Sequence, residues 1–309
     1  MAQDMIDQIQ IYRPEAPIQW VWLKISGPDA QDFLHRITTA HVKILQPGQG
    51  TDACLLSANG KIEAAFTLWN TASAEYAMEF DAGVDGLWLT RTQQVLERYI
   101  FADKVAVEVA SGLSALWVFN LGSETSENVL KTNLLPDGVR ACDHGRTQYG
   151  RPWTVFLGTQ QQLLGLENSW KEKRPVNEVP FEILERWRIE MVRPRLGMEI
   201  DETVIPLEVG MLDSISRTKG CYPGQEVIER ISSQGSPPRR LVKLECQGAL
   251  PKSGELILDS EGKEVGKITS VSANLCLGLL KKNFLEPGTR LRSALTQAEL
   301  KILQVAPDA

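Results

Sequence analysis

The chain has 309 residues, 43% of them hydrophobic and 23% charged, and a formal net charge of −6. That length allows two or three domains with a sizeable core, and the acidic balance argues against a protein that coats nucleic acid. No apolar run approaches the about 18 residues of a transmembrane helix, and residues 1–7 lack the features of a secretory signal. The sequence therefore predicts a cytoplasmic protein with no membrane partner and no direct nucleic-acid partner.

The first part of the chain alternates between strand and helix patterns. After a strand at 20–26, Pro28 and Asp29 suit the first turn of a helix. Asn59-Gly60 is a strong signal for a tight hairpin. Further strands are predicted at 52–57, 61–69, 75–80, 105–109, 115–120, 140–146 and 153–157. Further helices are predicted at 84–101, 124–135, 160–170, 178–192 and 225–231.

Two of these helices carry an apolar stripe that predicts core packing. In the helix at 84–101 the stripe consists of Leu87, Trp88, Val95, Leu96 and Tyr99. In the helix at 178–192 it consists of Ile183, Leu184, Trp187 and Met191.

The last part of the chain has a different texture. Residues 232–238 are rich in Ser, Gly and Pro, which indicates a linker. Short strands separated by Gly and Pro follow at 241–246, 255–258, 264–271, 275–280 and 300–305, a pattern typical of a small β-barrel. We therefore divide the chain into an α+β region at 1–235 and a C-terminal barrel at 239–309.

Five cysteines are spread along the chain: Cys54, Cys142, Cys221, Cys246 and Cys276. Their odd number and the lack of any CxxC pair or Cys/His cluster predict a reducing compartment, no structural metal and no self-contained iron–sulfur site. A single cysteine can still hold or transfer a cluster together with a partner protein.

Cys221 stands in the most informative segment, Lys219-Gly220-Cys221-Tyr222-Pro223-Gly224-Gln225-Glu226. Gly220 and Gly224 permit backbone angles and close approaches that a side chain would block. A cysteine at a helix start and close to Lys219 has its thiolate favoured, which predicts a reactive or ligating thiol. The alternative is an ordinary buried cysteine.

This octapeptide resembles the K-G-C-[FY]-x-G-Q-E signature of the YgfZ-type folate-binding proteins, which are relatives of the aminomethyltransferase (T-protein) of glycine cleavage. The resemblance extends over nearly the whole chain. It implies an α+β, T-protein-like fold, with two interleaved α+β subdomains around a folate channel and a C-terminal β-barrel. It also implies tetrahydrofolate or a one-carbon derivative as the cofactor.

The segment Arg188-Ile189-Glu190 is similar to the Arg-Leu-Glu-Ala-Gly helix of the T-proteins. From spacing alone it reads as a solvated helix face, whereas the resemblance assigns Glu190 to the pterin edge of folate and places Arg188 beside it. A carboxylate accepts two parallel N–H bonds from such an edge, as it does from a guanidinium. The stretch Leu196–Glu202 also matches the family and is interpreted as structural.

Glu63 follows Gly60-Lys61-Ile62, where the T-proteins have their catalytic aspartate. Its longer arm compromises transfer chemistry that depends on exact placement of the carboxylate. The alternative is that Glu63 faces solvent on an alternating strand. The transferase site is thus incomplete, and the sequence leaves open whether the protein is an enzyme.

Three further residues flank the cysteine. Lys219 either lowers the proton affinity of Cys221 or, with Arg230, attracts the glutamate tail of folate. Tyr222 either stacks on a flat ring or packs in the core. Cys221 and Lys219 are thus the candidate catalytic residues.

The resemblance leads to one functional hypothesis and two alternatives. The first is a folate-dependent accessory protein for assembly or repair of iron–sulfur client enzymes, including radical enzymes that methylthiolate tRNA, with Cys221 as the functional thiol. The second is an aminomethyltransferase with Glu63 at the reacting amine. The third is a module that stores or senses folate and carries an inert cysteine.

Overall fold

The computed structural model describes residues 8–14, 20–82, 86–119, 135, 138–148, 150–286 and 288–307. The chain forms two compact units, each from two separate segments. Met1–Ala53 and Ala65–Pro180 make the first unit, and Cys54–Ala64 and Phe181–Ala309 make the second. Both units are thus discontinuous in the sequence, and the second one includes the barrel region. The helix predicted at 124–135 lies almost wholly outside the described residues.

The first unit contains two five-stranded sheets. One has the strand order β10-β1-β7-β9-β8 and the other β3-β4-β5-β2-β6. The strands are β1 Ile9–Tyr12, β2 Trp20–Ser26, β3 Gly50–Leu56, β4 Ile62–Ala72, β5 Glu75–Asp81, β6 Ala106–Val109, β7 Ser114–Phe119, β8 Arg140–Gln148, β9 Arg151–Gly158 and β10 Val176–Glu178. The pairing of β1 with β10 is parallel, whereas β1 and β9 both pair with β7 in antiparallel register.

The described part of the first unit has three helices, α1 Ala30–Ile37, α2 Leu87–Tyr99 and α3 Gln160–Lys171, and α3 packs against β7, β9 and β10. Helix α3 begins with a capping box, in which the Thr159 hydroxyl accepts from the Gln162 N–H and the Gln162 side chain accepts from the Thr159 N–H. In α2 the prediction of a buried Leu87 is wrong, because Leu87 is 59% exposed at the first residue of the helix.

The second unit holds the C-terminal barrel, closed in the order β11-β14-β13-β12-β15-β16. Its strands are β11 Arg239–Gln247, β12 Leu256–Leu258, β13 Glu264–Ser272, β14 Leu275–Lys281, β15 Leu291–Ser293 and β16 Glu299–Val305. Inward residues such as Val242, Ile268 and Leu280 fill the barrel core. The predicted barrel is therefore confirmed, and only the three-residue β15 was missed.

Two helices precede the barrel in the second unit, α4 Phe181–Glu190 and α5 Gln225–Gln234. Helix α4 buries Leu184 and Trp187 as predicted, but Ile183 and Met191 are 41% and 44% exposed, which corrects their assignment to the core. Helix α5 continues into the predicted linker, where the Ser233 hydroxyl donates to the Glu229 carbonyl at 2.7 Å. Within the described residues, no helix is long and apolar enough to span a membrane.

Candidate functional site

The candidate site is built around the loop that leads into α5. Cys221 lies in this loop and is exposed, whereas Cys54, Cys142, Cys246 and Cys276 are buried. The next residues turn into the helix through Gly224, whose φ of 78° is in the left-handed region. The loop therefore presents one thiol to solvent, separated from the first residue of α5 by Tyr222, Pro223 and Gly224.

A close backbone contact holds this loop in place. Gly224 lies so near the β3–β4 turn that a Cβ atom on it would come within 2.5 Å of the Ser57 carbonyl oxygen and 3.0 Å of the Gly60 Cα. A Cβ atom on Gly60 would in turn meet Val227 of α5 at 3.2 Å. Gly220, by contrast, has nothing within 4 Å of such a position and no left-handed φ, so the close-approach role predicted for it is wrong.

Lys219 and Tyr222 pack against each other on the inner side of the loop. Their exposed fractions are 9% and 6%, and the Lys219 Nζ lies 5.1 Å from the centre of the Tyr222 ring. Burial lowers the pKa of the Lys219 amine to about 8. Burial also raises the pKa of Tyr222 to about 12, with smaller contributions from the charges of Glu229 and Cys54. Both side chains are thus part of the interior that supports the loop.

The carboxylate of Glu190 lies at the last residue of α4 and is 41% exposed. Its Oε1 accepts from the Arg186 Nε at 2.9 Å, and its backbone carbonyl accepts from the Lys243 Nζ at 2.7 Å. The chain then turns away through Val192, whose φ of 55° is unusual for a β-branched residue. The structure therefore presents the Glu190 carboxylate at an accessible helix end.

Arg188 has a different environment from the one predicted. All five of its N–H groups are used: two bond Glu185, one bonds Glu199, one bonds Ser270 and one bonds the Arg193 carbonyl. The residue is 4% exposed. A direct bond from Arg188 to folate would require breaking one of these five, so the side chain acts here as a brace between α4 and β13.

Glu199 completes this buried network. One of its oxygens accepts from Arg188 and from the Arg195 N–H, and the other accepts from the Ser270 hydroxyl at 2.6 Å. With its side chain fully buried, Glu199 is balanced by the Arg188 guanidinium at 2.8 Å. The structural role that was expected for 196–202 fits these contacts.

The two remaining candidates differ in their exposure. Glu63 is half-buried on β4, in the segment Cys54–Ala64 that groups with the second unit, and Arg230 is exposed on α5. All seven candidate residues thus belong to the second unit. In the part of the chain that the structure describes, no group of three or more His, Cys, Asp or Glu side chains is placed to hold a metal ion.

A buried carboxyl group in the first unit was not predicted from the sequence. Glu79, on β5, accepts from the Trp69 Nε1 at 2.8 Å and from the Trp117 Nε1 at 2.7 Å. Burial raises the pKa of Glu79 to about 8, although both indole bonds act in the opposite direction. The raised pKa of Cys142, about 12, has burial and the neighbouring Glu79 charge as its causes.

Comparison with known proteins places this architecture. Residues 239–307 match the CAF17 C-terminal beta-barrel domain. The whole fold is similar to the crystal structure of the glycine cleavage system aminomethyltransferase T from Bartonella henselae, with a TM-score of 0.75 and 14% identity, covering 99% of this chain and 88% of that one. The predicted T-protein-like fold class is therefore confirmed.

Several curated proteins are also similar in sequence. An aminomethyltransferase of Koribacter versatilis is 34% identical, with 84% of this chain and 72% of that protein covered. The mouse mitochondrial iron–sulfur cluster assembly factor IBA57 is 24% identical (93% and 82% covered), and the tRNA-modifying protein YgfZ of Colwellia psychrerythraea is 22% identical (77% and 73% covered). The putative chloroplastic transferase At1g60990 of Arabidopsis thaliana is 28% identical over 84% of this chain, which spans 63% of its length.

Proposed function

Because the chain belongs to the family of YgfZ-type proteins and aminomethyltransferase T-proteins, we propose that it binds tetrahydrofolate and supports iron–sulfur cluster assembly or repair. Its clients in this proposal are iron–sulfur enzymes, including those that methylthiolate tRNA. The observation that carries the proposal is the exposed Cys221 thiol in the loop before α5, a loop that is held by the contact of Gly224 with the β3–β4 turn. The names of two relatives, the iron–sulfur cluster assembly factor IBA57 and the tRNA-modifying protein YgfZ, support this proposal.

The chemistry of the loop supports a role for Cys221 with a cluster as its cargo. A thiolate is the form of cysteine that ligates iron or exchanges sulfur. One cysteine cannot hold a cluster alone, so the remaining ligands come from a partner protein. Lys219, two residues before the thiol and with its pKa lowered to about 8, is the amine nearest in sequence that can exchange a proton near neutral pH.

The Glu190 carboxylate fits the pterin edge of tetrahydrofolate. Its present partner, Arg186, is itself a planar group with parallel N–H donors, and the pair is about half exposed, with exposed fractions of 46% for Arg186 and 41% for Glu190. Ion pairs at such exposure contribute roughly 0–1 kcal/mol, so a ligand can replace the guanidinium at little cost. When bound, the folate would supply a one-carbon unit. Glu190 would orient the bound folate.

We expect Glu190→Gln to weaken tetrahydrofolate binding at least about tenfold, because one carboxylate oxygen is replaced by an amide N–H that opposes the pterin donors. Isothermal titration of the full chain with tetrahydrofolate measures this. The matched control is Arg186→Gln, which removes the competing guanidinium and keeps the carboxylate, and we expect its affinity to equal or exceed that of the wild type. If both substitutions weakened tetrahydrofolate binding equally, Glu190 would not be a folate-binding residue.

Cys221→Ser tests the thiol in cells that lack their own copy of the gene. We expect the wild-type chain to restore methylthiolated tRNA and Cys221→Ser, at equal expression, to leave it at the level of the empty vector. The oxygen of serine neither ligates iron as a thiolate does nor carries sulfur. Mass spectrometry of tRNA nucleosides gives the readout.

Gly220→Ala is the control for that experiment, because it lies next to Cys221 and its new methyl group meets open space. It should restore methylthiolation fully. Rescue by Cys221→Ser as well would place the function on folate binding and leave the cysteine inert.

A second candidate function is aminomethyl transfer, favoured by the 34% identity to an aminomethyltransferase. It requires a carboxylate at the reacting amine, and Glu63 on β4 is the candidate in the family's position. Formation of methylene-tetrahydrofolate from a lipoyl-bound aminomethyl carrier, lost in Glu63→Gln, would favour it over the first proposal.

A further inference from the structure

Two cysteines that the proposed function does not use meet inside the barrel. Cys246 lies near the end of β11 and Cys276 near the start of β14, and both belong to the barrel core. The register of the two strands sets Leu244 opposite Cys276, and the Cys246 N–H donates to the Asn274 carbonyl at 2.8 Å. Cys246 lies two residues after Leu244 on β11. Side chains two residues apart on a strand point to the same face, so Cys246 and Cys276 share one face of the barrel wall.

Their sulfur atoms are 3.1 Å apart. A disulfide has an S–S distance of about 2.05 Å, so closing the gap requires a shift of about 1 Å. Cys54, in contrast, has its sulfur 3.7 Å from the Ser214 hydroxyl.

We propose that Cys246 and Cys276 are a thiol–disulfide site that closes when the protein meets an oxidised small-molecule disulfide. The Cys246 thiolate attacks one sulfur of the small disulfide, forms a mixed disulfide and releases one small thiolate. Cys276 then loses its proton and attacks the Cys246 sulfur, which forms the protein disulfide and releases the second small thiolate. The two protein thiols lose two electrons and two protons, and the small disulfide becomes two thiols.

The surroundings of the two thiols indicate that Cys246 is the one that attacks the small disulfide first. It is 6% exposed and is followed by the exposed residues 247–250, whereas Cys276 is fully buried. The contact with Cys276 lowers the pKa of Cys246, and the same contact together with burial raises that of Cys276. Local opening of this end of the barrel is sufficient to admit the oxidant.

The bond would lock the barrel rather than the Cys221 loop. It would close the segment 246–276, which contains β12 and β13, and would tie β11 to β14. The barrel strands would then be more stable in the oxidised protein than in the reduced protein, since the cross-link restricts the unfolded chain.

The test uses the full chain with Cys221→Ser, which removes the exposed thiol and leaves four of the five cysteines. After incubation with oxidised glutathione, the protein is denatured, alkylated and mapped by mass spectrometry without reductant. We expect two of the four thiols to be lost and a disulfide-linked peptide pair that contains Cys246 and Cys276. The melting temperature should rise by several degrees, and dithiothreitol should return it to the value of the reduced protein.

Controls separate this pair from general oxidation. Cys54→Ala in the same background should form the link as before, and Cys276→Ala should abolish it and leave at most a glutathione adduct on Cys246. Four alkylated thiols after oxidation, or a link that involves Cys54 or Cys142, would overturn the proposal. The disulfide mapping is done on the chain that keeps both Cys246 and Cys276, so it tests the proposal even if Cys276→Ala does not fold. In the wild-type chain, a glutathione adduct on Cys221 shows that the oxidant has acted.

Discussion

Gly224→Ala is expected to lower the free energy of unfolding of the second unit by about 2–4 kcal/mol. The left-handed φ of 78° alone costs a residue with a Cβ about 1–2 kcal/mol. The methyl group would also stand 2.5 Å from the Ser57 carbonyl, a backbone atom that cannot rotate away. The loop must therefore separate from the β3–β4 turn, and Cys221 must move with it.

Urea denaturation followed by circular dichroism measures this loss. The matched control is Gly220→Ala in the same loop, whose methyl group meets nothing within 4 Å and whose backbone is not left-handed. We expect it to stay within about 0.5 kcal/mol of the wild type. Equal denaturation midpoints for both variants would show that the contact of Gly224 with the turn does not hold the loop.

The second large effect concerns pH and arises in the first unit. The pKa of Glu79 is raised from 4.5 to about 8 in the folded protein, so between these values the folded state keeps a proton that the unfolded state has released. Stability from this group is complete below pH 4.5 and falls by about 1.4 kcal/mol per pH unit as the pH rises toward 8. The loss amounts to roughly 5 kcal/mol at pH 8.

Glu79→Gln should remove this slope, because an amide does not titrate. At pH 5 the variant is expected to be less stable than the wild type by about 1–3 kcal/mol, since the amide N–H₂ faces one of the two indole donors, Trp69 or Trp117. The difference should shrink or reverse by pH 8. The control is Glu108→Gln, an exposed site on β6 of the first unit.

Denaturation midpoints at a series of pH values between 4.5 and 8 give the comparison. Parallel curves for the wild type and Glu79→Gln would mean that the carboxyl group is not neutral in the folded protein. A changed slope in Glu108→Gln would instead assign the pH dependence to surface charge.

Local patterns predicted the longer elements of this fold well. Strand β2 coincides with the predicted 20–26, and the hairpin at Asn59-Gly60 and five of the six barrel strands were placed from alternation and turn residues alone. The strands that were missed, β1, β10 and β15, are three or four residues long. Such short strands are defined by their partners, as in the parallel pair of β1 with β10, which local sequence does not show.

For the site residues, too, local sequence indicated some features and missed those that depend on distant partners. Cys221 and Glu190 were identified from the octapeptide and from a family resemblance, and their roles at the site stay predictions. The buried network of Arg188 was not predicted, because one of its partners, Ser270, lies 82 residues away in the sequence. Likewise, the difference between Gly220 and Gly224 depends on how close the β3–β4 turn lies, which no local pattern contains.

The division of the chain into interleaved segments has a consequence for its synthesis. Cys54–Ala64 emerges from the ribosome before Phe181–Ala309, the segment with which it groups. Before Gly224 and α5 have emerged, the tip of this hairpin lacks the contact that Gly224 makes with Ser57 and Gly60. The Cys221 loop can therefore take up its place against the β3–β4 turn only after α5 has been synthesised, so this part of the site is completed late relative to its hairpin.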